Sequence, residues 1–310
     1  MNASDSVAIS VASLSKTYGP VKALSDVSLT IQKGERVALI GASGSGKSTL
    51  VRHVSGLVSS DPGNGEVTVF GRRIQAKGQL SGNARLIRRE IGMIFQQFNL
   101  VKRLSVIGNV LIGLLGHVPT WRGNLGYFTM DEKHRAMAAL ETVGIAEHAE
   151  KRASQLSGGQ QQRVAIARSL IQEAKIVLAD EPIASLDPKS AKKVMEILVD
   201  LNTSYGMTLV VSLHQVDYAM AYFDRMVALR DGQIVYDGAV KNIDTAFLTK
   251  LYGAQADELI LPGQVGPVGK RAKADGAADK ETDADTAALH SQVSPVRVNG
   301  EMAASQDAVR

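Results

Sequence analysis

The sequence predicts an α/β fold: buried strands with a glycine loop at their edge, an antiparallel β subdomain beside them, and an inserted run of helices. Three observations predict it. The apolar run Arg36–Ile40 (R-V-A-L-I) enters Gly41–Thr49 (G-A-S-G-S-G-K-S-T), and Leu50–Leu57 then has a helical pattern. Ile176–Ala179 and Thr208–Leu213 are short continuous apolar runs, the pattern of parallel strands covered on both faces. From Leu104 to about Arg152 the apolar spacing is helical.

Taken in order, Val7–Leu14 and Leu24–Ile31 alternate apolar and small polar residues and read as half-buried strands. Tyr18 stands beside the turn residues Gly19-Pro20, which predicts exposure. Lys33-Gly34 turns the chain into the strand before the glycine loop. Pro62–Gly65 is a loop, and Glu66–Phe70, Gly71 and Arg72–Ile74 read as a hairpin. The strand before the glycine loop is therefore expected to have antiparallel strands on either side. Ile91–Phe95 is a further strand, followed by Gln96-Gln97. Asp131–Val143 has an acidic start, helical spacing and Gly144 as a stop. Gln161–Ile171 reads as a helix, and Pro188–Tyr205 as one crossing between the two parallel strands. Met226–Arg230 and Gln233–Tyr236 flank Asp231-Gly232, a two-residue hairpin turn. Asp244–Tyr252 closes the ordered pattern. Residues 262–310, rich in Ala, Gly, Asp and Lys and without aromatics, are expected to form a disordered tail.

Bulk properties narrow the function class. The 310 residues are 45% hydrophobic, with 35 basic and 31 acidic side chains. A net charge of +4 is too mild for a nucleic-acid binder, so no nucleic-acid partner is expected. With no cysteine there is no disulfide and no thiolate metal site. The first ten residues lack a basic start and a long apolar run, so no export signal is expected. The longest apolar stretch, Val106–Val118, is broken by Asn109 and three glycines. It falls short of the roughly 20 residues a membrane span needs.

The glycine loop fits G-x-x-x-x-G-K-[ST]. Gly41, Gly44 and Gly46 leave room for backbone N–H groups, with those of Ser43 and Thr49 beside them, to converge on phosphate oxygens. Lys47 would neutralise the β- and γ-phosphates, and Ser48 would ligate Mg²⁺. Asp180-Glu181 ends the run I-V-L-A, which puts two carboxylates at a strand's C-terminal edge, where open α/β sheets bind ligands. One would anchor the metal; the other would accept a proton from, or orient, an attacking water. Leu156–Gln160 (L-S-G-G-Q) opens a helix with small residues, a second anion-seeking helix end whose plainer reading is Ser157 as an ordinary N-cap.

The glycine loop, L-S-G-G-Q and I-V-L-A-D-E-P, in this order, resemble the ATP-binding cassette (ABC) ATPases over roughly 7–253. The resemblance implies a P-loop NTPase (RecA-like) core, an antiparallel β subdomain and an α-helical subdomain inserted over about 97–160. It implies ATP and Mg²⁺ as ligands, with Ser48, Gln96 and Asp180 at the metal and Glu181, His214 and Gln96 in catalytic roles. Tyr18 resembles the aromatic that stacks on adenine, and Ser185-Leu186-Asp187 the loop that crosses a dimer interface. Ser157, Gly158, Gly159 and Gln160 would complete the nucleotide site of a second copy. Plainer readings remain at single positions: Tyr18 as packing, Gln96 as a solvated loop residue, Asp187 as the cap before Pro188, His214 as a satisfied strand-end histidine.

Within the family, F-Q-Q-F-N-L-V from Phe95, Asn109–Gly113 with P-T-W-R from Pro119, D-E-P-I-A-S-L-D-P from Asp180 and L-H-Q-V-D-Y-A from Leu213 resemble ATP-binding subunits of phosphonate importers. That implies a homodimer peripheral to the cytoplasmic face of the cell (inner) membrane, working with transmembrane permease subunits and an extracytoplasmic phosphonate-binding protein. An importer of phosphite or another phosphorus oxyanion fits the same residues, because the solute is selected elsewhere. A soluble ABC protein fits less well, since the chain has one cassette and no long coiled-coil insert. Phe98, Leu100, Leu104, Trp121 and Phe128 are candidates to line a groove for a permease helix; filling the core of the helical lobe is an equal reading for each of them.

Overall fold

The computed structural model describes residues 6–252; the tail expected over 262–310 lies outside them. Among the described residues the strands form two sheets. The first is antiparallel, in the order β2-β1-β4-β5-β6, from β1 (Val7–Tyr18), β2 (Val21–Gln32), β4 (Glu66–Val69), β5 (Arg72–Ala76) and β6 (Gln79–Leu80). The second runs β11-β10-β3-β9-β8-β7, from β3 (Arg36–Ile40), β7 (Ile91–Ile94), β8 (Ile176–Asp180), β9 (Thr208–Ser212), β10 (Arg225–Arg230) and β11 (Gln233–Ala239). All of its pairings are parallel except the β10–β11 hairpin.

The strand before the glycine loop differs from expectation. Its neighbours β9 and β10 are both parallel to it, and the antiparallel strands adjacent in sequence belong to the other sheet. Hairpins join sequence neighbours, but parallel partners are reached by long crossovers, so local pattern does not reveal which strands flank β3. The first two strands are also longer than their alternation suggests. They meet at a Gly19-Pro20 turn with Tyr18 paired to Val21.

Alternation along β3 divides the interior. Val37 and Leu39 face a core shared with the antiparallel sheet and with α1 (Lys47–Val54), which contributes Leu50, Val51 and Val54. Ala38 and Ile40 face the helical side of the sheet. That layer contains α3 (Val106–Leu111), α5 (Met130–Thr142), α6 (Gly158–Ile171), α7 (Pro188–Tyr205), α8 (Val216–Tyr222) and α9 (Thr245–Tyr252). The short helices α2 (Ala84–Ile87) and α4 (Thr120–Leu125) complete the set. None of these helices is long and apolar enough to cross a membrane.

Local chemistry sets the helix ends. Thr129 and Glu132 form a capping box at the start of α5. Asp187 caps α7 through Ser190 N–H, Pro188 occupies its first turn, and Gly206 ends it in the left-handed conformation (φ 64°). α6 begins at Gly158, three residues earlier than its apolar spacing suggests, because Ser157 and Gln160 build a capping box across the glycines.

Candidate functional site

The parallel strands deliver their C-terminal ends to one edge, and the candidate residues collect there. Gly41 follows β3 directly, Glu181 follows β8, His214 lies two residues beyond β9, and Gln96 two beyond β7. Glycine is required at the loop entrance. A Cβ on Gly41 would lie 2.2 Å from the Leu229 carbonyl oxygen and 2.7 Å from Ser45 Oγ. One on Gly46 would lie 2.5 Å from the Ala23 carbonyl oxygen. Gly44 has nothing within 4 Å of its Cβ position, and it and Ser43 are exposed at the loop's crest.

Lys47 is 4% exposed and folds back on the loop, donating to the Gly41 carbonyl at 2.7 Å and the Ala42 carbonyl at 3.1 Å. Burial pushes its ammonium pKa down, while Glu181 and Asp180 pull it up. Backbone carbonyls thus hold a buried cation, with no carboxylate of the described residues within ion-pair distance.

Ser48 Oγ donates to Asp180 Oδ1 at 2.8 Å, tying α1 to the end of β8. Ser212, register partner of Asp180, donates to the same oxygen at 2.8 Å. Its hydroxyl in turn accepts the Glu181 N–H at 2.9 Å. Glu181 has φ 51°, a left-handed conformation that costs a non-glycine residue about 1–3 kcal/mol and persists where neighbours over-determine it. Ser212 supplies that constraint, also accepting the Glu181 N–H at its carbonyl, 3.2 Å. The carboxylate is thereby aimed at His214, whose Nε2 lies 2.6 Å from Glu181 Oε1. The hydrogen bond to His214, then the charges of His214 and Lys47, outweigh partial burial and hold the Glu181 carboxyl below its usual range.

The donor set suits Mg²⁺. A hydroxyl and a carboxylate in contact are hard oxygen ligands, and Mg²⁺ takes one or two carboxylates and fills its octahedron with water and phosphate oxygens. Among the described residues no group of three His, Asp or Glu could hold a metal ion by itself. Gln96 is exposed in the turn after β7.

Other predicted residues stand apart from this cluster. Tyr18 is 46% exposed at the hairpin tip, with Lys16 Nζ 5.4 Å from its ring centroid. Ser157 caps α6, and Gln160 Nε2 lies 2.8 Å from His148 Nε2. This helix end packs on the segment before and into α7: a Cβ on Gly158 would lie 3.2 Å from Leu186 Cδ2, and one on Gly159 2.6 Å from Ser190 Cβ. No hydrogen bond or ion pair among the described residues joins Ser157–Gln160 or Tyr18 to Gly41–Thr49.

A groove of about 410 Å³ opens beside the turn after β7. Phe95 and Ile112 form part of its wall, with Arg85, Arg88, Arg89 and Arg168, and no carboxylate among the described residues lines it. None of Phe98, Leu100, Leu104, Trp121 and Phe128 lines this groove. Leu100 and Phe128 pack on the core, while Leu104 and Trp121 are exposed. Spacing shows that these side chains are apolar but not which face of the lobe each occupies. Sequence reasoning also missed Ser212. Its signal was a hydroxyl closing the run T-L-V-V, level with Asp180.

Comparison with known proteins gives the family. The model of the family described as ABC transporter matches residues 24–184. The phosphonates import ATP-binding protein PhnC 1 of Pseudomonas aeruginosa (strain UCBPP-PA14) is 58% identical over 257 residues, 83% of this chain and 92% of the relative. Its namesake from Nostoc sp. (strain PCC 7120) is 56% identical, over 83% of this chain and 96% of the relative. Among solved structures, the dimeric ATP-binding cassette MJ0796 in a post-hydrolysis state, bound to ADP and Pi, superposes with a TM-score of 0.64 at 35% identity. It covers 76% of this chain and 100% of that one. CbiO1 of Clostridium perfringens gives 0.66 at 28% identity, covering 79% and 92%.

Proposed function

From the premise that the chain belongs to the ABC transporter ATP-binding family, we propose that it hydrolyses ATP to energise uptake of phosphonates through a separate permease. The observation that carries the hydrolytic reading is the Glu181–His214 pair beside Ser48 and Asp180 at the mouth of the glycine loop. The relatives named for phosphonate import supply the solute class.

Lys47 leaves the Gly41 and Ala42 carbonyls and pairs with the β- and γ-phosphates. Ser48 and Asp180 would hold Mg²⁺, which would supply positive charge against the developing negative charge of the phosphoryl oxygens. Glu181, ionised at neutral pH, orients the attacking water and accepts its proton. His214 holds the carboxylate in place and reaches the γ-phosphate side. Gln96, between the strand edge and the arginine-lined groove, reports the occupancy of one to the other. Tyr18 stacks on the base from the hairpin tip.

One chain supplies half of each site. The Ser157–Gln160 end packs on the Ser185–Ser190 segment of its own chain, and it completes the nucleotide site of a second copy across a two-fold axis. Asp187 lies at that interface. In this reading the groove receives a permease segment, the subunit works at the cytoplasmic face of the inner membrane, and an extracytoplasmic binding protein delivers phosphonate to the permease. Growth of a strain lacking this protein, on methylphosphonate, phosphite or phosphate as sole phosphorus source, tests the solute. Loss on methylphosphonate alone is the expected result; loss on phosphite alone would overturn the phosphonate assignment.

A further inference from the structure

Tyr252, the last residue of α9, has no part in the chemistry above, yet it touches the glycine loop. Its ring is 4% exposed, seated with Leu248 and Leu251 in the core on the helical side of the sheet. Its hydroxyl accepts the N–H of Gly41 at 3.2 Å, across 211 positions of sequence. Arg230 Nη1 donates to the Lys250 carbonyl at 3.2 Å and fixes the same helix end to the end of β10. The Leu229 carbonyl of that strand crowds the α-carbon of Gly41.

Gly41 is therefore held on both sides of its α-carbon. Tyr252 takes its N–H, and Lys47 Nζ takes its carbonyl at 2.7 Å. The two contacts differ once a nucleotide binds. Lys47 must release the carbonyl to reach phosphate, and φ 143° leaves Gly41 in a region where little but glycine rests. The hold through Tyr252 then remains. Its loss leaves a buried amide unpaired at the moment the opposite contact is given up.

We propose that Tyr252 is a positioning residue for the nucleotide site: its hydroxyl keeps the loop entrance in place after Lys47 has turned to the phosphates. The proposal rests on the reading of Lys47 as a phosphate ligand. It makes α9, at the far end of the described residues, a strut for the glycine loop.

Tyr252→Phe in the full-length chain keeps the ring and removes the contact. ATP and ADP dissociation constants, measured by equilibrium titration, should both rise about 3–10-fold, the scale of one lost hydrogen bond to a buried group. The rise in melting midpoint caused by saturating nucleotide should shrink with them, over and above any drop in the nucleotide-free midpoint, because the contact is present without nucleotide as well. Dissociation constants equal to wild type would overturn the proposal, whatever happened to the melting midpoint, because a purely structural role moves stability alone. Lys47→Ala, run in parallel, keeps the two readings apart. Loss of nucleotide binding in Lys47→Ala with none in Tyr252→Phe sinks the Tyr252 role only. Undiminished binding in Lys47→Ala removes the premise.

Discussion

Glu181 combines three constraints: a left-handed backbone, an N–H held by Ser212 and a carboxylate held by His214. Glu181→Gln keeps this geometry and removes the base. Steady-state assays should show turnover falling by about 10²–10⁴-fold with ATP binding retained. Turnover near wild type would take Glu181 out of the catalytic role. The same residue fixes a pH dependence. Its pKa is held below the usual 4.5, chiefly by the hydrogen bond to His214, so the folded chain binds its proton less readily than the unfolded chain. The resulting stabilisation is complete above the unfolded value and disappears as pH falls through the depressed one. Denaturation of wild type and Glu181→Gln across pH should show a gap that narrows only below about pH 4.5. A gap already closed at pH 6 would contradict the assignment.

At the scale of elements, the contact between α6 and α7 decides where the L-S-G-G-Q end sits. Gly159 admits no side chain there, since a Cβ would lie 2.6 Å from Ser190 Cβ. Gly159→Ala should destabilise the chain in urea by about 1–3 kcal/mol through overpacking. Ser190→Gly added to it should recover part of that loss despite the roughly 1 kcal/mol that glycine costs a helix. Strict additivity of the two changes would show that the helices do not meet through this pair. The elements also mark how far sequence can be read. Buried parallel strands announce themselves as I-V-L-A and T-L-V-V, and α7 carries its own cap, proline and stop. Sheet order does not, because β3 takes its partners from β9 and β10, far along the chain. α8 was hidden because Leu213–Ala219 stood out as a motif rather than as a helix start. Tyr252 was hidden because its partner is a backbone amide, to which no side-chain pattern points.

At the scale of the molecule, one chain gathers Lys47, Ser48, Asp180, Glu181 and His214 at one sheet edge and packs Ser157–Gln160 on its own Ser185–Ser190 segment. A residue-by-residue reading found both halves, because each carries a dense motif. The 58%-identical relative matches 83% of this chain, and deletion of residues 262–310 is expected to leave ATPase activity largely intact, as a turnover assay of the truncated chain would show. The central claim is that each nucleotide site is shared between two copies. It is tested most directly by mixing two inactive full-length variants, Lys47→Ala and Gly158→Asp, and measuring ATPase activity. Neither homodimer has an intact site, whereas the mixed dimer pairs the sound glycine loop of one chain with the sound helix end of the other. The account predicts recovery to about a quarter of wild-type activity, from half the dimers carrying one site of two. A mixture as inactive as its components, with mixed dimers shown to form, would contradict it.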